Sequence, residues 1–448
     1  MGNGLAARNG GRVGLAALLA ILLLGAGLRV DQAWDGRAPV YDAAAYAAIA
    51  ANLERGEGFT AGPAATQPSS NYSPGLPLLV AGAYELTGGV HERAARVLLA
   101  LIGSLTVLFT YLIGRRLGRV MPEAGSDRLE TSLGVAAGLA GAVVVAIYPA
   151  LLEYQGMLMS EPLAATLLSG AVLAMFWAAD SGPGAPARWL LPGLQLGTLA
   201  MVRPEYLGVA LLLGVVVFAT GLRSDWRLGL TRAVLLLGGV IVIVAPWTIR
   251  NAVALDRAVP ISTGGGQVLF AGTYLPSDGD PERVGTEVVA RHPELFATAA
   301  ARRLRLEQIL ARLAAARYSN LETDQALSRM GKEQLWDDVS EEPLEYAGFV
   351  VAKIGRIWSH GPRAVMREPG WEAMHWALVG LGLLGLGLLA WRRRWEALVL
   401  AAVFVGITAL SALLVASPRR VLVMLPLVAA LAGVAATWLW GRLSPGRT

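Results

Sequence analysis

The chain has 448 residues, of which 55% are hydrophobic and only 16% are charged. A soluble protein of this length carries about 25% charged residues, so the composition excludes an ordinary soluble protein. The chain has no cysteine, and its four histidines are far apart. This excludes disulfide bonds and thiolate metal sites and leaves no histidine metal motif. Basic membrane loops explain the net charge of +5, so the charge does not indicate a nucleic-acid partner.

Ten apolar runs dominate the sequence, and most approach the length of about 20 residues that a membrane-spanning helix needs. They lie near 13–30, 95–114, 131–149, 157–179, 188–202, 204–221, 233–250, 372–391, 395–416 and 421–440. This pattern predicts an all-α polytopic membrane protein. The first run also fits the core of a cleaved signal peptide. Because it is long and many apolar runs follow it, we expect an uncleaved span.

Short arginine-rich segments set the expected orientation, because Lys and Arg accumulate in cytoplasmic loops. Such segments are found at both termini and at 115–130, 222–232 and 392–394. Ten crossings place all of them on one side, so we expect both termini in the cytoplasm. The polar segments 31–94 and 251–371 then lie together on the extracytoplasmic side.

The expected organisation has three parts. The first is an N-terminal transmembrane catalytic module, residues 1–250, which includes the external loop 31–94. The second is another external loop, residues 251–371. The third is the set of C-terminal transmembrane helices in 372–448. Within the second loop, 290–316 and 322–336 have the periodicity of amphipathic helices, which can lie in the plane of the membrane interface.

Two short helices are predicted in the first external loop. In DAAAYAAIAANLERG, apolar residues recur at helical spacing from Tyr46 to Leu53, and the glycines at 56 and 58 end the pattern. The stretch SPGLPLLVAGAYELTGG (73–89) is apolar but short, and a full crossing there would break the parity of the spans. We expect a re-entrant or surface-lying helix on the outer side.

Asp42 begins the first of these helices and has two interpretations. An Asp at this position is a common N-cap, because its side chain accepts hydrogen bonds from free backbone N–H groups. A carboxylate held above an apolar bundle could equally be a general base, because partial desolvation raises a carboxyl pKa toward the working range. Asp31 and Asp35, on the same loop, are competing candidates for that role.

Polar residues at the expected outer ends of spans also have two interpretations. Glu161 begins an apolar run, where a buried carboxylate is costly and often functional, although a helix start also favours an acid. Arg203, with Pro204, separates two short runs, and Glu205 is a potential partner. Guanidinium groups suit phosphate, whereas the alternative is interfacial snorkelling. The same two interpretations apply to the arginines at the other outer span ends, Arg250, Arg419 and Arg420.

Five stretches together resemble one known family. They are YDAAAYAAIAANLERGEGF (41–59), SPGLPLL (73–79), MSEPL (159–163), RPEYL (203–207) and PWTIRNAVALDRAVPIST (246–263). Their order and spacing are similar to those of the GT-C glycosyltransferases, in particular the bacterial aminoarabinose transferases and protein O-mannosyltransferase relatives. The resemblance implies a GT-C-like bundle of about ten to eleven transmembrane helices with extracytoplasmic interfacial helices.

The resemblance also implies a site. It implies that Asp42 is the catalytic acid of the first external loop. The stretch Ser73–Pro77 matches the family's Pro-rich stretch, and Arg419 or Arg420 matches the family's arginine near the end of the domain. Aminoarabinose transferases carry a phosphate-binding lysine where this chain has Ser73, so phosphate contact would move to arginine. The expected substrate-binding residues are Tyr46, Glu161, Arg203, Glu205, Arg250, Arg419 and Arg420.

The function implied is sugar transfer in the plasma membrane. A polyprenyl-phosphate sugar would be the donor, and a glycan, lipid or protein hydroxyl on the extracytoplasmic side the acceptor. Asp42 would act as general base in an inverting displacement, with arginines in place of a metal and no further cofactor. A transporter or lipid flippase is the main alternative, and a non-catalytic membrane assembly partner is the other.

Overall fold

The computed structural model describes residues 2–61, 67–121, 127–222, 225–280, 282–297, 304–359 and 361–443. Within these ranges the chain is helical apart from turns, loops and one isolated bridge between Thr60 and Pro68. The first ten helices are α1 Gly2–Trp34, α2 Asp42–Glu54, α3 Gly75–Thr87, α4 Glu92–Arg119, α5 Asp127–Ile147, α6 Pro149–Glu153, α7 Ser160–Asp180, α8 Leu190–Val202, α9 Tyr206–Gly221 and α10 Trp226–Leu255. The others are α11 Gly265–Thr273, α12 Val284–Arg291, α13 Leu306–Arg317, α14 Thr323–Glu341, α15 Pro343–Ser359, α16 Pro369–Trp391, α17 Trp395–Leu413 and α18 Arg419–Leu443.

All ten apolar runs form helices, so the predicted all-α polytopic architecture is confirmed. Among the described residues, eight helices are long and apolar enough to cross a membrane: α1, α4, α5, α7, α10, α16, α17 and α18. The runs at 188–202 and 204–221 form the shorter helices α8 and α9, of 13 and 16 residues. A helix rises about 1.5 Å per residue, so neither alone covers the hydrocarbon thickness of about 30 Å.

The helices divide into two compact units. Unit 1 contains residues 1–261, 361–405 and 422–448, and unit 2 contains 262–360 and 406–421. The first and last membrane helices therefore belong to one unit, and the chain enters unit 2 from α10 and again within α17.

Close helix contacts in unit 1 fix the directions of its helices. Gly114 of α4 approaches Gly138 of α5, and Gly118 approaches Gly134, so α4 and α5 are antiparallel. Thr166 of α7 donates a hydrogen bond to the Ile102 carbonyl of α4, and Arg116 of α4 pairs with Asp180 of α7. The helices α4 and α7 are therefore parallel, and both begin at the end of unit 1 where α5 finishes. We call this the site end and the opposite end the basic end.

The helices α8, α9 and α10 continue this alternation. Gly193 and Gly197 of α8 contact α10 at Leu236 and Val240 respectively, so α8 runs parallel to α10. Gly221 of α9 touches Gly229, near the start of α10, so α9 runs back the other way. The break between α8 and α9 therefore lies at the site end, where α7 begins and α10 finishes.

The two short helices predicted between the first two spans form near their predicted places. The helix α2 ends at Glu54, and Gly56 and Gly58 follow with positive φ of 76° and 77°. Its predicted apolar face is partly wrong, because Ala43, Ala47 and Ala50 are buried while Tyr46 and Leu53 are half-buried. Small alanines allow α2 to lie close to α3. The latter has 13 residues and is about 20 Å long, too short to cross the membrane.

Unit 2 contains a compact core of its own. Buried side chains of α11–α14 pack together, including Phe270, Val288, Leu310 and Leu327. The predicted helix at 322–336 is confirmed as α14, whereas a single helix over 290–316 is wrong: α12 ends at Arg291 and α13 begins at Leu306. His292-Pro293 explains the early stop, because a residue before proline disfavours the helical conformation. The core gives these helices apolar partners within the protein.

Candidate functional site

Asp42 lies in the first turn of α2 but is not its N-cap. The N-cap is Tyr41, which has φ 52° and makes no side-chain capping hydrogen bond, and Asp42 occupies the first helical position. A positive φ is unusual for a bulky residue and is a form of strain often found at functional sites. Asp42 itself is half-buried, whereas Asp31 and Asp35 are exposed. Partial burial therefore favours Asp42 among the three candidates.

The start of α3 brings a second aromatic residue to the site end. Gly75 packs so closely on the end of α8 that a Cβ there would lie 2.6 Å from Val202 Cγ2. This contact fixes the segment just before α3, where the ring of Tyr72 meets Tyr46 edge-on at 5.4 Å between centroids. Tyr46 lies one helical turn after Asp42, so the two residues occupy the same face of α2.

A buried charge cluster occupies the break between α8 and α9. Arg203 Nη1 lies 3.2 Å from Glu161 Oε1 and 3.2 Å from Ser160 Oγ, both at the start of α7. Its Nε donates to Glu205 Oε1 at 3.0 Å. Because α7 and α8 are antiparallel neighbours, a residue at the start of one meets a residue at the end of the other.

The charges of this cluster hold Arg203 in its ionised form. Burial by itself lowers the pKa of Arg203, but Glu205 and Glu161 outweigh burial, and the net effect raises the pKa. Tyr46 also interacts electrostatically with Arg203. The structure therefore brings Glu161, Arg203 and Glu205 into contact, and Tyr46 is linked to this cluster by that interaction.

Arg250 lies at the same end of unit 1 but contacts different partners. Its Nη1 donates to the Ser69 carbonyl at 2.9 Å, and its Nη2 donates to the Phe59 carbonyl at 3.2 Å. The guanidinium also stacks on Trp247, 4.9 Å from the ring centroid. Arg250 therefore joins α10 to the two ends of the loop after α2, and its partners among the described residues include no carboxylate.

Arg419 and Arg420 belong to unit 2, and their role as substrate contacts stays a prediction. Arg420 Nη1 donates to the Val415 carbonyl. It also acts electrostatically on Lys353, a fully buried lysine whose Nζ donates to the Gly272 carbonyl at 2.5 Å. Unit 2 thus has a cationic cluster of its own, which the sequence analysis missed.

Two further contacts at the site end, one buried and one half-buried, had no local signal in the sequence. The Tyr148 hydroxyl lies 2.8 Å from His375 Nδ1, and both side chains are buried. Arg363 forms a salt bridge with Glu153. Each pair joins residues more than 200 positions apart in the chain, so local spacing carried no signal for either.

Two weaker patterns in the sequence are a Gly-rich stretch at 260–274, a composition that can bind phosphate through backbone N–H groups, and DGD at 278–280, which resembles a metal-binding acidic pair. In the Gly-rich stretch at 260–274, the Gly266 N–H already donates to Asp324 Oδ1 at 2.9 Å. Asp278, in the DGD stretch, takes a turn conformation with φ 53°. Across the part of the chain that the structure describes, no group of three or more His, Asp or Glu side chains is arranged to hold a metal ion.

Solved structures of two other proteins are similar to this chain. The apo oligosaccharyltransferase of Archaeoglobus fulgidus matches 97% of this chain and 51% of its own, at 15% identity and a TM-score of 0.57. The Archaeoglobus fulgidus enzyme AglB with an inhibitory peptide and a dolichol-phosphate gives a TM-score of 0.56 at 15% identity, with the same coverage. ArnT from Cupriavidus metallidurans, bound to undecaprenyl phosphate, matches 96% of this chain and 79% of its own at 16% identity, with a TM-score of 0.43.

The similarity to the archaeal oligosaccharyltransferase defines the fold. With its helical membrane architecture, the chain is a polytopic membrane protein with a GT-C-like fold, as the sequence predicted. The chain spans about half the length of the archaeal oligosaccharyltransferase. No protein-family model and no curated protein sequence matches it.

Proposed function

We propose that the protein is a membrane glycosyltransferase that takes a sugar from a polyprenyl-phosphate donor. The observation that carries this proposal is the site end of unit 1. There a half-buried carboxylate, Asp42, shares a helical face with Tyr46, which interacts electrostatically with Arg203. The GT-C-like fold supports the proposal, because one neighbouring structure contains a dolichol-phosphate.

The reaction is a single displacement. The acceptor hydroxyl oxygen attacks the anomeric carbon, and the bond from that carbon to the donor phosphate oxygen breaks. Asp42 takes the hydroxyl proton, and the polyprenyl phosphate leaves with the bonding electrons. Attack from the face opposite the leaving group inverts the anomeric configuration. A carboxylate positioned beside the acceptor hydroxyl can take this proton as a general base.

The other residues divide into two groups by charge. Arg203 is already balanced by Glu161 and Glu205, so this cluster suits sugar hydroxyls, which donate to carboxylates and accept from guanidinium. Arg250 has only carbonyl, amide and aromatic partners among the described residues. Its charge therefore stays available to stabilise a phosphate leaving group. Arg250 is the phosphate contact that we assign within unit 1.

The orientation is part of the proposal. The basic end carries the arginine-rich segments and lies in the cytoplasm by the positive-inside rule. The site end then faces the extracytoplasmic side of the plasma membrane, where donor and acceptor meet. The acceptor is a hydroxyl of a glycan, a lipid or a protein.

The experiment tests Asp42 against its neighbours. The full chain is reconstituted in liposomes with a panel of undecaprenyl-phosphate hexoses and pentoses, and release of undecaprenyl phosphate in the presence of an envelope lipid extract is followed by mass spectrometry. Asp42→Asn abolishes release, whereas Asp31→Asn and Asp35→Asn retain it. Full activity of Asp42→Asn would show that Asp42 is not the general base. Translocation of the intact lipid-linked sugars without release would favour a flippase.

A further inference from the structure

A cationic pocket lies at the basic end of unit 1, where α4 and α7 finish side by side. Its volume is about 380 Å³. Arg115, Arg116 and Arg119 of α4 line one wall, and Asp180 is the acidic residue in the lining. In the sequence these arginines are a topology signal, and the proposed transfer reaction does not use them.

Arg116 is a fixed part of the wall. It forms a salt bridge with Asp180 and a second one, at 3.2 Å, with Glu396, whose side chain is fully buried. Its guanidinium also stacks on Phe176, 5.1 Å from the ring centroid. These contacts hold the pocket open. They also pair Asp180, the carboxylate of the lining, with Arg116.

Arg115 and Arg119 are left with an excess of positive charge. Neither side chain forms a salt bridge with a carboxylate among the residues that the structure describes. Both lie at the C-terminal end of a helix, where exposed carbonyls add a negative partial charge. That partial charge stabilises the two arginines but does not satisfy guanidinium groups facing a cavity. The pocket therefore suits an anion.

The opposite wall is apolar and belongs to a membrane helix. Leu173, Phe176 and Trp177 of α7 line it, and Trp177 remains 47% exposed on the helix surface. Tryptophan is enriched at the membrane–water interface. An occupant with a charged head and an apolar tail fits both walls at once, whereas a free inorganic anion uses the cationic wall alone.

We propose that this pocket binds the headgroup phosphate of an anionic membrane phospholipid. Its place in the fold separates it from the proposed active site. Glu161 stands at the start of α7 and the pocket at its end, and the 21 residues of this helix span about 30 Å. The phospholipid therefore occupies the membrane surface opposite the Arg203 cluster, and the inference is independent of the proposed transferase activity.

The test measures lipid binding to the full chain. The purified protein in detergent is titrated with dioctanoyl phosphatidylglycerol, dioctanoyl phosphatidylcholine and inorganic phosphate, and bound ligand is counted by native mass spectrometry. We expect saturable binding of phosphatidylglycerol, weaker binding of phosphatidylcholine, and no displacement by millimolar phosphate. Replacement of Arg115 and Arg119 by glutamine weakens phosphatidylglycerol binding about 30-fold, at about 1 kcal/mol per arginine.

The control removes a different arginine at the same end. Arg227 stacks on Trp226 and lies outside the pocket, so Arg227→Gln retains wild-type binding. Equal affinity of the wild type for the two phospholipids, or full displacement by phosphate, would overturn the proposal without any variant. Unchanged binding in the double variant would do so as well. If the double variant does not fold, Arg119→Gln alone, at an exposed position, weakens binding about fivefold.

Discussion

Glu161 and Arg203 form a buried salt bridge of 3.2 Å that joins the start of α7 to the end of α8. Glu161 is fully buried, and Arg203 is only 13% exposed. The helix-start interpretation of Glu161 is confirmed, because Glu161 lies in the first turn of α7, whereas its role as a substrate contact stays a prediction. The pair fixes the break at which the chain turns from α8 into α9.

Loss of one partner of this pair should be costly. Glu161→Gln removes a carboxylate from a buried guanidinium, and we expect the free energy of unfolding to fall by about 3 kcal/mol. This loss is at the lower end of the range for breaking a buried ion pair, because Glu205 still pairs with Arg203. Denaturant unfolding of the detergent-solubilised protein measures the loss. The control is Glu287→Gln, in a pair whose Arg283 is 51% exposed, which should cost less than about 1 kcal/mol. Equal losses would contradict the structural role.

The contact between α3 and α8 predicts opposite effects for two glycines of one helix. A Cβ at Gly75 would meet Val202 at 2.6 Å and the Met201 carbonyl group at 2.9 Å, whereas a Cβ at Gly82 has no neighbour within 4 Å. Gly75→Ala therefore overpacks the interface and should cost about 1–3 kcal/mol. Gly82→Ala should stabilise α3 by up to about 1 kcal/mol, because alanine is the better helix former. Thermal unfolding of both variants checks the sign, and a stable Gly75→Ala protein would argue against this close contact.

Much of the membrane architecture could be predicted because it depends on local sequence. Apolar runs of helical length predicted the spans, and the glycines after Glu54 predicted the end of α2. The pairing of Arg203 with Glu205 was also visible, because the two residues are two positions apart. In each case the signal and the structure it specifies lie within one helix or one turn.

The rest depended on how helices pair. Glu161 and Arg203 are 42 positions apart, and only the antiparallel arrangement of α7 and α8 brings them together. Arg29, within the first apolar run, is fully buried and donates to the Val145 and Ala146 carbonyls at the end of α5. The core of unit 2 was hidden as well, because its helices lie among polar stretches and bury their apolar faces against each other.

Lys353 predicts a pH dependence of stability. Burial, with Arg420 and Arg356 nearby, lowers the pKa of Lys353 to about 7 from the usual 10.5. Between these values the unfolded chain binds a proton that the folded protein does not, so the free energy of unfolding rises with pH over that range. The apparent melting temperature should therefore increase from pH 7 toward pH 10 by more in the wild type than in Lys353→Met. Lys332→Met, at an exposed lysine of the same unit, should retain the wild-type slope. Identical slopes in all three proteins would show that Lys353 stays charged when folded.

The absence of cysteine makes the orientation directly measurable. Because the native chain offers no thiol, any labelling by an impermeant maleimide reports an introduced cysteine alone. His91 precedes α4 at the site end, and Leu222 follows α9 at the basic end; both are exposed. Arginine-rich segments stay in the cytoplasm, so His91→Cys should react in intact spheroplasts and Leu222→Cys only after lysis. Reaction of Leu222→Cys alone in intact spheroplasts would place Asp42 in the cytoplasm and contradict transfer on the outer surface.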